Sequence, residues 1–143
     1  MAVKRGTRFL SPEQIRYLAE MAEQARAALA RFSEQEVGYD AIALQLLDEW
    51  IERHLRQFPE PSQRMRLLWV SFLGEIFRRR HGGEWVVEEG GASRGELALL
   101  CPTESGSVRE IDVSGQVGRR IAEGMSASLA YFYALASIEL RIA

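Results

Sequence analysis

The amino-acid sequence predicts a single α+β domain over residues 1–143, built from three helices, a three-stranded antiparallel meander and two C-terminal helices. Three observations carry this. Apolar residues recur at a three-and-four spacing as far as His81, the period of an amphipathic helix. Gly82 and Gly83 then break that spacing, and three short apolar or β-branched runs follow, separated by glycine-containing turns. Helical spacing returns after Ser114 and continues to the last residues. A chain of 143 residues can bury one ordinary hydrophobic core and leaves no room for a second domain.

Taken in order, residues 1–10 read as a flexible N-terminal segment. Ser11-Pro12-Glu13-Gln14 combines a capping serine, a proline suited to the first helical position and a glutamine placed for a capping box. The helix it starts runs to about Phe32, with Ile15, Leu18, Ala22, Ala25, Leu29 and Phe32 on a narrow seam that asks for a neighbouring helix. Asp40 caps a second helix over residues 41–58, burying Leu44, Leu47, Trp50 or Ile51, Leu55 and Phe58. Pro59 and Pro61 end it, and Ser62 caps a third helix over residues 63–81. Residues 84–89, 96–101 and 108–113 form the strands, joined by turns at 90–95 and 102–107. Two helices follow, around residues 114–123 and 126–140, divided by Gly124.

With 47% hydrophobic and 27% charged residues and a net charge of -2, the chain has the composition of a folded soluble protein rather than a disordered one. The same balance favours neither nucleic acid nor an anionic membrane as a partner. The single cysteine, Cys101, excludes an intrachain disulfide and suits a reducing interior. No run reaches signal-peptide or bilayer-spanning length, so the chain reads as cytoplasmic. Lys4 is the only lysine and asparagine is absent, a bias that a GC-rich genome explains, since the arginines are scattered along the whole chain.

The run SFLGEIFRRRHGGEW, residues 71–85, holds the most chemistry. At 100° per residue, Met65, Leu68, Trp69, Phe72, Leu73, Ile76 and Phe77 form an arc broad enough for a central helix. Ser71 and Gly74 leave its narrow side open to close approach by another backbone. Glu75 and Arg79 stand four residues apart in the favourable order for an ion pair, and Arg78, Arg79 and Arg80 crowd the turn where the helix dipole favours positive charge. Such a pattern describes the end of a central helix. It also describes a shallow binding site in which Glu75, Arg79 and Arg80 flank Trp85 as a flat apolar anchor.

The run LGEIFRRRHGGEW, the strand LALLCP and the segment VGRRIAEGMSASLAYFYAL together resemble a group of small bacterial proteins of unknown function. In that group a helix ending Leu-Gly-Glu leads through Gly-Gly to a tryptophan-bearing strand. The resemblance covers about the C-terminal half, implies an α+β domain and brings no activity with it.

Other chemistries find little support. His54 and His81 lie on different elements, without a second histidine or cysteine at ligand spacing, so no metal is expected. Asp48, Glu49 and Glu52 read as a solvated helix face, and Cys101 as a buried strand residue with nothing adjacent to activate it. Gly115 and Gly118 before Arg119 and Arg120 match no phosphate-binding signature, and nucleophile-elbow, Walker and dinucleotide motifs are absent. No catalytic residue and no cofactor are expected. The resulting expectation is a non-enzymatic protein that binds a protein or peptide. The alternative is a small-molecule-binding protein or small enzyme with its pocket between the third helix and the sheet. Leu129, Phe132, Tyr133, Leu135, Ala136, Ile138, Leu140 and Ile142 cover more than one face of the last helix, which a homodimer through that helix would bury.

Overall fold

Capping chemistry sets the helix boundaries. In the computed structural model, which describes residues 7–88 and 96–142, helix α1 (Pro12–Ser33) begins at Ser11. The Ser11 hydroxyl accepts from the Gln14 amide while the Gln14 side chain accepts from the Ser11 amide. Helices α2 (Ala41–Gln57) and α3 (Gln63–His81) begin at Asp40 and Ser62, each side chain accepting from the amide three residues on. Gly82 closes α3 at φ 75°, a left-handed conformation that a β-carbon would resist.

Strands β2 (Glu84–Glu88), β3 (Glu96–Pro102) and β4 (Val108–Ile111) form the expected antiparallel meander. A fourth strand, β1 (Thr7–Phe9), pairs antiparallel with β2, so the sheet order is β1-β2-β3-β4. This corrects two expectations: the sheet has four strands, and the segment through residue 10 is structured from Thr7, with Leu10 buried. The last strand is also shorter than expected, because Asp112 caps α4 (Val113–Glu123) and Val113 opens it. A 3-10 turn at Gly124–Ala127 leads into α5 (Leu129–Ile142). The expected turn at 90–95 lies outside the described residues, as do residues 1–6.

Strand alternation sends Trp85, Val87, Leu97, Leu99 and Cys101 toward the helices. Helix α3 runs through the centre, touching α1, α2, α4, α5 and β3, and every residue from Leu68 to Phe77 is buried. Its narrow side admits a side chain rather than the expected backbone: the Trp85 indole lies on Gly74, where any β-carbon would overlap the ring. Of the expected α1 seam, Leu18, Ala22, Ala25 and Leu29 are buried, Phe32 is half-buried and Ile15 is exposed. In α2 the stripe is Leu44, Leu47, Asp48 and Ile51, with Trp50 and Leu55 half-buried and Phe58 exposed. No helix among the described residues is long and apolar enough to cross a membrane.

Candidate functional site

The last turns of α3 draw a polar network around the loop between α1 and α2. Arg78 grips both carboxylate oxygens of Glu75 through Nε and Nη2, at 2.9 and 2.8 Å, and Arg79 Nε reaches Oε2 at 2.8 Å. Burial raises the Glu75 carboxyl, but the hydrogen bonds from Arg78 and Arg79 outweigh it and hold the group below the usual carboxylate range. The Arg79 guanidinium then lies 3.8 Å over the Tyr39 ring, and Arg80 Nε donates to the Tyr39 carbonyl at 3.1 Å. Tyr39 in turn donates to Glu23 at 2.8 Å, while Arg26 holds Glu23 from the other side and also donates to the Val37 carbonyl. The hydrogen bond from Arg26 leads in pulling the Glu23 carboxyl down to about 2, and burial pushes the Tyr39 phenol up to about 12.

Of the sequence-derived candidates, then, Glu75, Arg79 and Arg80 meet around Tyr39. Trp85 stands apart. At 2% exposure it faces Gly74 inside the core, and Glu75 points elsewhere around the helix toward its two arginines. Arg78 and Arg79 keep about half their side-chain surface in solvent, so the arginine rim is the accessible part of this region.

A second polar cluster centres on a buried carboxylate, and it corrects the reading of Asp48 as part of a solvated face, while the Glu52 side chain stays 40% exposed. Arg120, fully buried on α4, donates Nε to Asp48 Oδ1 at 2.9 Å and Nη2 to the Asp48 carbonyl and to Glu52, at 3.0 and 2.9 Å. The Asp48 carboxylate also accepts from the amides of Leu129 and Ala130, both at 3.0 Å, and from the Ser128 hydroxyl at 2.8 Å. Asp48 therefore caps α5 from a different helix, where negative charge meets the positive end of the helix dipole. Glu49 remains exposed as expected.

The remaining candidates take structural roles. His81 shares a hydrogen bond with Ser137 at 3.1 Å and packs against Phe77 and Tyr133, joining α3 to α5. His54 sits edge-on to Trp69. Among the described residues no group of three histidine, cysteine or acidic side chains is placed to hold a metal ion. Burial pushes the Cys101 thiol up to about 12, and its sulfur packs against Gly83, where a β-carbon would come within 2.7 Å.

Several openings border the helical layer, among them one of about 540 Å³ between β4, α4 and α5, lined by Arg109, Asp112, Gln116, Arg119, Phe132 and Glu139. A cleft of about 310 Å³ lies between the start of α3 (Gln63, Arg66, Val70), β3 (Glu96, Leu97) and α4 (Ser114, Val117). Burial, followed by the charges of Asp112 and Glu88, raises the Glu96 carboxyl there. A more apolar groove of about 410 Å³ runs between the first turns of α1 and the sheet, lined by Leu10, Tyr17, Leu18, Leu67, Val87 and Leu97.

Helix α5 has two apolar faces, as its sequence suggested. Leu129, Tyr133, Ala136 and Leu140 turn inward and are buried. Tyr131, Leu135 and Ile138, spaced i, i+4, i+7, turn outward at 64%, 45% and 47% exposure, with the small exposed Ala134 among them. No family model, curated protein or solved structure matches this chain.

Proposed function

We propose that this chain is a non-enzymatic, cytoplasmic interaction protein that binds a protein or peptide partner, and that the outer face of α5 is its docking surface. The observation that carries this reading is the stripe of Tyr131, Leu135 and Ile138. Large side chains left half in water in one row are characteristic of surfaces that meet a partner. The polar groups point the same way. Glu75 is held by Arg78 and Arg79, and Asp48 by the buried Arg120 and two backbone amides of α5, so both carboxylates are committed within the fold. On this reading Glu75 and Trp85 support the scaffold, and Arg79 and Arg80 contribute a polar rim. Affinity capture with the purified chain tests it. The native chain should retain a partner that Leu135→Glu loses while keeping its circular dichroism spectrum. A partner retained equally by both, or by neither, refutes the α5 assignment.

The cleft beside Glu96 supports a second reading, a small-molecule site between the third helix and the sheet. Its volume of about 310 Å³ suits a small ligand, and Arg66, Gln63, Ser114 and the raised Glu96 carboxyl supply polar contacts. A ligand of this cleft would raise the melting temperature of the native chain and not of Arg66→Ala.

A further inference from the structure

We infer that the occupant of the α5 face is a second copy of this chain, related by a two-fold axis that crosses α5 between Ala134 and Leu135. This deepens the docking reading of α5 and rests on it.

The stripe is self-complementary in size. An axis between residues 134 and 135 sets two α5 helices antiparallel. Each Leu135 then lies over Ala134 of the other copy, and each Tyr131 lies over Ile138. A large side chain thus meets a small one at the centre, and an aromatic ring covers a branched aliphatic chain at each end. Such reciprocity is what an isologous interface requires: residue i meets j, and j meets i. Moving the axis by one turn in either direction leaves Tyr131 or Ile138 facing solvent.

Charge does not oppose the pairing. Glu139 and Arg141 lie on opposite flanks of the stripe, and Glu139 is neutralised by Arg109 at 3.0 Å. The two-fold axis separates the Glu139 residues by nine helical positions, roughly 13 Å along the axis, beyond the screening length of about 8–10 Å. The net charge of -2 sets up little repulsion between whole molecules. Size fixes the strength expected. Helix α5 has 14 residues, or about 21 Å of length. One helix pair of that length falls short of the roughly 800 Å² per partner of a standard interface, so association belongs in the micromolar range.

The core is indifferent to the interface residues, because Tyr131, Leu135 and Ile138 face outward while Leu129, Tyr133, Ala136 and Leu140 anchor the helix. Sedimentation equilibrium of the full chain from about 1 to 500 µM should show a reversible dimer, and Leu135→Glu should weaken it on the order of a hundredfold while leaving the melting temperature unchanged at concentrations where the native chain is monomeric. Cysteine crosslinking tests the register. Helix axes 8–10 Å apart with Cα atoms at a radius of about 2.3 Å bring the two residues 134 within disulfide reach, whereas residues 131 stand about 10 Å apart along the axis. Ala134→Cys should therefore give a crosslinked dimer under mild copper-phenanthroline oxidation, and Tyr131→Cys should not. The buried Cys101 does not compete. A monomeric mass throughout overturns the proposal, and so does crosslinking at 131 in preference to 134. The docking reading survives either result if Leu135→Glu still abolishes capture of a different protein, and falls with the dimer if it does not.

Discussion

The contact between Gly74 and Trp85 makes a prediction whose sign depends on its neighbour. Three atoms of the indole's six-membered ring lie within 3.1 Å or less of where a Gly74 β-carbon would stand, and Trp85 is 2% exposed in a packed core. In an open helix Gly→Ala stabilises by about 0.8–1 kcal/mol through helix propensity. Here the ring must move, and overpacking of this kind costs about 1–3 kcal/mol. The net effect of Gly74→Ala in the native chain is therefore a destabilisation of up to about 2 kcal/mol. Trp85→Leu removes the six-membered ring and by itself destabilises by about 2–4 kcal/mol as a large-to-small core change. In that background the same Gly74→Ala substitution meets open space and should stabilise by about 1 kcal/mol. Urea unfolding followed by circular dichroism measures all four chains. The double-mutant cycle should show a coupling of about 1–3 kcal/mol with reversal of sign. Additivity within about 0.5 kcal/mol would mean that Trp85 does not rest on Gly74, and would refute the argument.

Three further outcomes follow from the buried groups. Asp48→Ala leaves Arg120 without its main counter-charge and frees two amides of α5, so it should cost about 3–5 kcal/mol. Arg120→Met should cost less, because Asp48 keeps its bonds from Ser128, Leu129 and Ala130; the reverse order in urea unfolding would contradict this. Acid should act in two stages. Burial holds His54 and His81 below 6.5, with Arg141 and Arg80 adding to the shift of His81, so the unfolded chain takes up protons first. Their contribution is complete above about pH 6.5 and is lost as the pH falls through the lowered folded values. Glu23, held to about 2, and Glu75 contribute fully above 4.5 and lose that contribution below it. A melting temperature that stays flat from pH 7 to 5 would contradict the histidine stage. Finally, Cys101, with its thiol raised to about 12, should react with Ellman's reagent only on unfolding; prompt reaction of the native chain would place it at the surface.

What the sequence makes legible, and what it hides, follows from the range of the interactions. Helix starts are local, and Ser11, Asp40 and Ser62 each declare themselves by capping chemistry within four residues. The Glu75–Arg79 pair is equally local. Strand β1 is not: three residues show no period, and only the exposed edge of β2 makes them a strand. Tyr39 is missed for the same reason, since a loop tyrosine gives no sign that Arg79 will stack on it from a helix forty residues away. Leu140 shows the limit of counting apolar residues, because it is 2% exposed and a charge there would break the core rather than an interface.

The Asp48–Arg120 pair did leave a signal. In α2 the buried residues are Ala43, Leu44, Leu47, Asp48 and Ile51, and in α4 they are Val113, Gln116, Val117 and Arg120. One acid and one arginine each occupy a position that an amphipathic helix otherwise gives to an apolar side chain, and opposite charges so placed are compatible with burial only if they meet. Stability alone does not explain keeping them, since apolar replacements of such pairs are often neutral or better. Geometry does. Asp48 binds the first two amides of α5, and Arg120 holds Asp48 in place from α4, so the axial position of α5 is fixed by directed bonds. An apolar contact would tolerate a slide. A slide of one residue turns the helix by 100°, which would carry Leu135 and Ile138 off the outer face and Leu140 out of the core. The buried pair therefore determines which residues α5 presents to solvent, and so links the interior of the domain to its proposed docking surface.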